Sequence, residues 1–514
     1  SSPSSPPSPS SPPSPSSPPS PSSPPSPSSP PSPPSPQSCD TVVIGCGMAG
    51  SIAFLTRTLQ LQHKSCLVCP DIGASTSARS GTGWFLLPSV QDKTVLLSEL
   101  SREALEHNIT FDEDRASYFI DKTDEAKAFI HQALGIRFDP VPSFDDSVIT
   151  NCSDMPVCCI NETRRVVNHG DFTCTKSKQW YKQSKCCSTG QMLNGFQTWP
   201  SYSHLKNSLE DRVTWITSSN VTNMNTISLI EMMITRAIRE NSIFIQETVQ
   251  NVDKINKTWV ITLSNSEIIE TTNIIFGSGG FGKTATQDEY DLLGIHSSNE
   301  VHALNSGILW NITKEKGWMK DELNAWYLEF VDNAPKWFLW DSKATVLSLD
   351  GNLIYDESAS YDERGRIAKR RGIKEAFYIT FDPTSNKTVH AELGNPFSQN
   401  ILNNNIVKRC DTRSKRLWRN YIANVYGIGN KVDISECSSR VGLYTPVNIR
   451  KIKQGIIDTI SGPIVDKYQR ILSTENAYAC GNAASPGLFP TYLAPGSTLG
   501  NALVGGFIAG QNNK

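Results

Sequence analysis

The stretch TVVIGCGMAG, residues 41–50, decides the fold. Its first four residues are an apolar run of strand length, and a G-x-G-x-x-G pattern follows directly. Gly45 permits a tight turn, Gly47 lets the backbone approach a pyrophosphate, and Gly50 lets a helix pack closely on the strand. This context predicts a dinucleotide-binding unit whose helix N-terminus faces phosphate charge. The predicted cofactor contacts here are Gly45, Gly47, Met48, Ala49 and Gly50.

The second strand of this unit, expected at residues 66–69, departs from the usual pattern. In dinucleotide-binding folds it ends in Asp or Glu, whose carboxylate holds the adenosine ribose. Here it ends at Cys69, followed by Pro70 and Asp71. Asp71 comes two residues late, and Pro70 changes the backbone between them. The sequence therefore leaves open whether a cofactor is retained.

Two later segments repeat the strand-then-glycine pattern. The run NIIF, residues 273–276, enters the turn GSGGFG, and AYA, residues 477–479, enters Cys480-Gly481-Asn482. An amphipathic helix is expected at residues 228–240, and the β-rich runs 243–249 and 259–263 suggest a meander. A closing helix is expected at about residues 498–509. The tryptophans between residues 283 and 440 favour a packed cap over a linker.

Five segments in this order resemble the fumarate reductase/3-ketosteroid dehydrogenase family of flavoproteins. They are residues 73–88, residues 277–282, the pair Thr459 and Gly462, residues 479–482 and residues 495–500. The resemblance implies an α/β fold, with a Rossmann-like FAD-binding domain of the GR2 flavoprotein type, an inserted α+β cap domain and FAD as cofactor. The further cofactor contacts that it implies are Ser75, Thr76, Ser80, Gly81, Gly279, Gly280, Gly481, Asn482, Thr498 and Leu499.

The same resemblance implies a catalytic set. Fumarate reductases bind a dicarboxylate through arginines, but the matching positions here are Ser497 and Tyr361. The ketosteroid dehydrogenases are more similar, because Tyr492 and Gly496 have the spacing of the groups that bind the substrate carbonyl there. Tyr361 follows a run similar to that of their proton-abstracting tyrosine. The implied catalytic residues are thus Tyr492, Gly496 and Tyr361, although Tyr361 and Tyr492 also suit a role as ordinary aromatic packing residues.

The N-terminus has a different composition. Residues 1–36 contain only Ser and Pro, with five copies of SSPPSP at residues 4–33. This density of proline excludes helix and sheet and favours polyproline II. The tract resembles hydroxyproline-rich glycoproteins, although a plain spacer is the alternative. The predicted domains are the rod at 1–38, the FAD-binding-type domain at 39–282 with a Cys-rich insertion at 150–200, the cap at 283–440, and a return to the first domain at 441–514.

Cysteine and Asn-x-Ser/Thr patterns indicate a secreted glycoprotein. Six of the 13 cysteines fall in one stretch with little apolar material, which favours disulfides over zinc or free thiols. No metal site is predicted. The disulfide candidates are Cys152, Cys158, Cys159, Cys174, Cys186 and Cys187. The glycosylation candidates are Asn108, Asn151, Asn161, Asn220, Asn256, Asn311 and Asn386.

The net charge is −2, which gives no electrostatic reason to expect nucleic acid as a partner. The sequence contains no run of 18 apolar residues, so no membrane span is predicted. Two functions remain open. The favoured one is an extracellular structural glycoprotein that self-associates through its rod, carries glycans on Asn and on Ser or hydroxylated Pro, and keeps a catalytically retired flavoprotein fold. The alternative is an active extracellular FAD-dependent dehydrogenase. A carbohydrate-binding module has only scattered aromatics, such as Trp180 and Trp199, in its favour.

Overall fold

The computed structural model describes most of the chain after the Ser/Pro tract. The described residues are 37–78, 84–140, 213–218, 222–224, 226–301, 305–320, 322–331, 345–348, 354, 361–382, 445–484, 489, 491–492 and 496–511. The predicted rod, apart from Gln37 and Ser38, lies outside these residues, and so does the Cys-rich insertion.

The strands, in chain order, are β1 (Gln37–Ser38), β2 (Thr41–Ile44), β3 (Ser65–Val68), β4 (Trp84–Leu86), β5 (Arg137–Pro140), β6 (Val213–Thr217), β7 (Thr222–Met224), β8 (Ile243–Ile245), β9 (Val249–Ile255), β10 (Thr258–Leu263), β11 (Ile268–Thr271), β12 (Asn273–Phe276), β13 (Ala325–Val331), β14 (Thr345–Ser348), β15 (Glu375–Asp382), β16 (Thr445–Thr459) and β17 (Ala477–Ala479). The α-helices are α1 (Met48–Gln60), α2 (Lys93–His107), α3 (Glu113–Leu134), α4 (Thr226–Arg239), α5 (Gln287–Leu293), α6 (Ile308–Glu315), α7 (Tyr361–Arg370) and α8 (Ser497–Gln511).

A parallel sheet forms the centre of the fold, with strand order β17-β12-β2-β3-β8. Its β2 and β12 are neighbours although more than 200 residues separate them, so the chain reverses its winding direction between them. This is the switch point at which open α/β sheets bind ligands. The prediction of a meander beginning at residue 243 was wrong in one respect, because β8 joins the parallel sheet beside β3.

Helix α1 packs against the last helix, α8, on one face of this sheet. Both helices are buried along nearly their whole length. A Cβ on Gly506 would lie 2.2 Å from the Ala49 carbonyl oxygen, so the glycine is what allows the close approach of the two backbones. The buried Arg57 of α1 donates to the Ala509 carbonyl at 3.4 Å and lies over the Tyr478 ring.

Two disulfides join the β-α-β unit, and the sequence analysis predicted neither. Cys39 is bonded to Cys66, and Cys46 to Cys69, with Cα–Cα distances of 5.9 and 5.8 Å. Each closes a loop that contains α1, and chain-entropy arguments give roughly 3 kcal/mol of stabilisation for a loop of this length. Both are compatible with an oxidising compartment.

An antiparallel sheet has the order β13-β16-β15-β14. Strands β13, β14 and β15 lie in the range predicted as the cap, and β16 lies in the range predicted as the return to the FAD-binding-type domain. We call these four strands the cap sheet. Helix α7 is fixed to this sheet by the buried Arg366, which donates to the Ala325 carbonyl at 3.0 Å. The other sheets are β1-β11-β10-β9 and β4-β6-β5, the latter extended by β7.

The described residues contain no helix that is long and apolar enough to cross a bilayer. Nor do they contain a group of three His, Cys, Asp or Glu side chains placed to hold a metal ion.

Candidate functional site

The candidate site is a crevice at the carboxyl ends of the parallel strands. The first glycine turn follows β2 and the second follows β12, and the two turns touch. Gly45 has φ +99°, and a Cβ there would lie 2.7 Å from the Gly277 carbonyl oxygen. A Cβ on Gly50 would lie 1.7 Å from the Gly45 carbonyl oxygen. These two glycines therefore serve the packing of turn, strand and helix.

Gly47 lies directly before helix α1 and has room for a Cβ. It is the N-cap residue and has no side-chain cap, so the first amides of α1, at Met48, Ala49 and Gly50, have no intrahelical acceptor. A Cβ on Gly47 would meet only the Ser77 Oγ at 3.4 Å and the Ser75 Cβ at 3.7 Å. A helix N-terminus flanked by two serines is suited to a phosphate.

The second glycine turn is enclosed by polar groups. Gly279 has φ +76°, and the space beside it is taken by the Asn305 side chain. The Ser278 Oγ is buried and has no hydrogen-bond partner among the described residues. Because buried hydroxyls are rarely left unpaired, a ligand is one candidate partner for this atom.

A buried carboxylate, Asp458, connects the segments around the crevice. It is 1% exposed and lies at the end of cap strand β16. Its Oδ2 accepts hydrogen bonds from the side-chain amides of Asn305 at 2.6 Å and Asn482 at 2.8 Å. Its Oδ1 accepts from the Thr459 amide at 2.8 Å, and the Gly280 amide also donates to the carboxylate. Burial raises the pKa of Asp458 to about 7, against these donors, which lower it.

The network extends to the loop after β3. The Thr76 hydroxyl donates to the Asn305 Oδ1 at 3.3 Å. Thr76, Gly280 and Asn482, three of the predicted cofactor contacts, are thereby joined through Asn305 and Asp458. Sequence analysis missed both connecting residues, although an acid inside the apolar run before Thr459 was a usable signal.

The adenosine end of the crevice has an apolar disulfide where a carboxylate is expected. Cys69 follows β3 and is bonded to Cys46 of the first glycine turn. The Asp71 carboxylate accepts from the Gly73 amide at 2.8 Å, within its own turn. The Glu247 carboxylate, after β8, accepts from the Ser264 hydroxyl. The nearby acids are thus engaged in other contacts.

Tyr492 and Gly496 form a pair of hydrogen-bonding groups. The Gly496 amide donates to the Tyr492 hydroxyl oxygen at 3.4 Å, a separation at which one carbonyl oxygen could accept from both. The Gly496 carbonyl accepts from the amides of Leu86, at 3.0 Å, and Gly500, at 2.8 Å, which fix its position. The Tyr492 ring packs edge-to-face on Trp326 of the cap, with ring centroids 6.0 Å apart.

The structure describes some of the remaining predicted site residues and not others. Gly481 has φ +63° in the turn after β17, and Thr498 and Leu499 lie in the first turn of α8. Tyr361 is the first residue of α7, and its side chain is not described. Ser80, Gly81, the six clustered cysteines, Asn151, Asn161, Asn220 and Asn386 lie outside the described residues. Asn108, Asn256 and Asn311 are all exposed.

The Cys480 thiol is buried, and burial raises its pKa to about 12. It therefore remains protonated at neutral pH.

The candidate site fits a flavin only in part. The Ser278 hydroxyl, which has no partner among the described residues, and the space at Gly47 suit the ring and phosphate portion. The disulfide at Cys69 does not suit the adenosine ribose.

Comparison with solved structures agrees with this architecture. The 3-ketosteroid Δ1-dehydrogenase from Sterolibacterium denitrificans, solved with 1,4-androstadiene-3,17-dione, aligns with a TM-score of 0.56 and 14% identity, over 92% of this chain and 99% of that chain. A flavocytochrome c3 fumarate reductase in its open conformation aligns with a TM-score of 0.52 and 11% identity, over 92% of this chain and 78% of that one. No protein-family model and no curated protein sequence matches the chain. At this level of identity the likeness concerns the fold, and the chain has the α/β fold of flavoprotein oxidoreductases of the 3-ketosteroid dehydrogenase and fumarate reductase type.

Proposed function

We propose that the chain is a flavin-dependent oxidoreductase that acts on an uncharged substrate bearing a carbonyl group. The observation that carries the proposal is the pair formed by the Tyr492 hydroxyl and the Gly496 amide, 3.4 Å apart before the buried helix α8. A hydroxyl and a backbone amide this close together could both donate to one carbonyl oxygen, an arrangement that stabilises negative charge developing there. The fold of the solved relatives supports the same class of reaction.

The residues of this chain would have distinct tasks in that reaction. When bound, the flavin supplies a hydride acceptor. Tyr492 and Gly496 would bind the carbonyl oxygen and increase the acidity of the adjacent C–H. The N-terminus of α8, at Ser497 and Thr498, would favour negative charge at the cofactor edge it faces. Tyr361 would take the proton, as the family resemblance implies. Helix α7, which carries it, is held by Arg366 to the backbone of β13, the strand whose Trp326 contacts Tyr492.

The experiment is to replace Tyr492 by Phe, which removes the hydroxyl and keeps the ring that packs on Trp326. Purified protein is screened for oxidation or reduction of uncharged ketones and enones with an artificial electron partner. For any substrate turned over, Tyr492→Phe should lower kcat/KM by about 100-fold, the usual effect of removing one such donor. Tyr118→Phe, a half-buried tyrosine whose ring packs on Tyr468, is the matched control and should be neutral. Equal kcat/KM in wild type and Tyr492→Phe would reject the proposed site.

A second candidate is a structural glycoprotein with a retired active site. The specific observation in its favour is the Cys46–Cys69 disulfide at the position of the ribose carboxylate. In this case the Ser/Pro tract would drive self-association, and the globular part would be a coat or docking unit in an extracellular assembly. A folded native protein without any flavin would favour this candidate over the enzyme.

Either function is proposed to operate outside the cell. The two disulfides of the β-α-β unit suit an oxidising compartment, and the described glycosylation candidates Asn108, Asn256 and Asn311 are exposed.

A further inference from the structure

We propose that the Cys46–Cys69 disulfide replaces the ribose-binding carboxylate, so that the site holds a flavin by its ring and phosphate and gains little from the adenosine moiety. The inference rests on the proposed function and concerns how strongly the site prefers FAD over FMN. The disulfide would then be a specificity-determining element of the crevice.

Cys69 has the chain position of the ribose-binding residue. The carboxylate that normally holds the ribose follows the second parallel strand, and the residue that follows β3 here is Cys69. Its backbone is fixed in the sheet, because the Cys69 amide donates to the Ile245 carbonyl at 3.1 Å. Its side chain is bonded to Cys46, which lies between the first two glycines of the G-x-G-x-x-G turn. The residue at the expected ribose position is thus engaged in a covalent bond to the first glycine turn.

The Cys46–Cys69 disulfide is apolar. Cys46 is 3% exposed and Cys69 is 4% exposed, and both belong to an apolar cluster that includes Ala49 and Ala78. A disulfide offers no strong hydrogen-bond acceptor to a ribose diol. The end of β3 therefore lacks the carboxylate that would form charge-assisted hydrogen bonds with a ribose.

The positions expected to bind the phosphate do not share this loss. Gly47 lies beside Ser75 and Ser77, and the first amides of α1 have no side-chain cap, which suits a phosphate. The buried Ser278 hydroxyl of the second turn has no partner among the described residues. Together with the missing ribose carboxylate, these groups indicate selectivity for the flavin and phosphate portion of the cofactor.

The experiment compares FAD with FMN on flavin-free protein under non-reducing conditions, with the quenching of flavin fluorescence as the readout. Wild type should bind FAD no more than tenfold more tightly than FMN. Cys46→Ala/Cys69→Glu, which breaks the disulfide and supplies a carboxylate, should raise the preference for FAD at least tenfold over that of wild type. Cys39→Ala/Cys66→Ala removes the other disulfide of the same unit and should leave the ratio unchanged.

The outcomes separate the two proposals. A wild-type preference for FAD above tenfold overturns the selectivity inference and leaves the proposed function intact. Binding of neither flavin by folded protein overturns the proposed function, and the inference with it. Peptide mapping that finds Cys46 and Cys69 as free thiols in native protein also overturns the inference, without depending on whether either double variant folds.

Discussion

The Asp458 carboxylate accepts a hydrogen bond from the Asn482 side-chain amide at 2.8 Å, and this contact joins the cap sheet to the closing turn of the parallel sheet. Asn305 donates to the same oxygen at 2.6 Å. Among the described residues, the segments of the candidate site are therefore joined through one buried acid whose donors are all N–H groups. The integrity of the site should depend on that acid more than on any single glycine.

Asp458→Asn should destabilise the protein at pH 8 without changing side-chain volume. The carboxamide would direct an NH2 group at the donors from Asn305 or Asn482, which leaves buried donors unpaired at a cost of about 1–3 kcal/mol. Urea unfolding measures the loss. Asp288→Asn, at an exposed position in α5, is the control and should change stability by less than ~0.5 kcal/mol. Equal unfolding free energies for Asp458→Asn and wild type would contradict the claim that Asp458 holds these segments together.

The same acid should make stability depend on pH. Its pKa is raised to about 7 in the folded protein, and an unfolded chain releases this proton near pH ~4. Between these values the native state binds more protons, so the unfolding free energy should fall as pH rises, by up to about 1.4 kcal/mol per pH unit. Urea midpoints at pH 5, 6 and 7 test this. Asp458→Asn should lack this component, and parallel pH profiles for the two proteins would argue against it.

Much of the crevice could be predicted from sequence because glycine requirements are local. The tight turn at Gly45 and the start of helix α1 after Gly47 follow from a short pattern. The order of the strands in the parallel sheet does not, because β8 was assigned to a meander and instead pairs with β3. The disulfide pairing could not be predicted in this way. The register of β2 against β3 brings together Cys39 with Cys66 and Cys46 with Cys69. The prediction instead assigned disulfides to the denser group of cysteines at residues 152–187.

The contacts of Asp458 could not be predicted from a local pattern for the same reason. Thr459 is its neighbour in sequence, but the other donors, Asn305, Asn482 and Gly280, belong to distant parts of the chain. Only the packing of the cap strand on the second glycine turn brings them together. Hydrogen bonds between distant segments depend on the three-dimensional packing of those segments, and the spacing of residues in the sequence does not reveal them.

Gly47→Glu should abolish flavin retention, because it places bulk and negative charge at the proposed phosphate position. Gly47→Ala is the graded comparison. Its Cβ would make contact at 3.4 Å with the Ser77 Oγ and should leave the fold and much of the flavin binding in place. Flavin absorbance per chain after gel filtration gives the measurement. Full retention in Gly47→Glu would place the phosphate elsewhere.

Asn256→Gln should remove one N-linked glycan from protein secreted by its native host. Asn256 is exposed at the tip of the β9–β10 hairpin, with φ +57°, and Thr258 completes its sequon. Intact mass before and after enzymatic deglycosylation reports the change. Asn251→Gln, on the same hairpin but in no sequon, should leave the mass of the glycans unaltered. An unglycosylated wild-type Asn256 would weaken the extracellular assignment.

Removal of residues Ser1–Pro36 should leave a folded but dispersed chain if the Ser/Pro tract drives assembly. The remaining unit, Gln37–Lys514, contains all the described sheets and both disulfides. Sedimentation velocity compares it with the full chain, and a chain whose tract is replaced by 36 Gly/Ser residues controls for length. Assemblies of normal size from the truncated chain would show that the tract is dispensable.

The central claim, that this crevice binds a flavin for redox chemistry, is tested most directly by the visible absorption spectrum of natively purified protein, followed by acid release of the chromophore. The account predicts flavin bands and close to one released flavin per chain. Folded, disulfide-intact protein with no flavin bands, and no recovery of them on incubation with FAD or FMN, would contradict it and leave the retired structural fold as the better description.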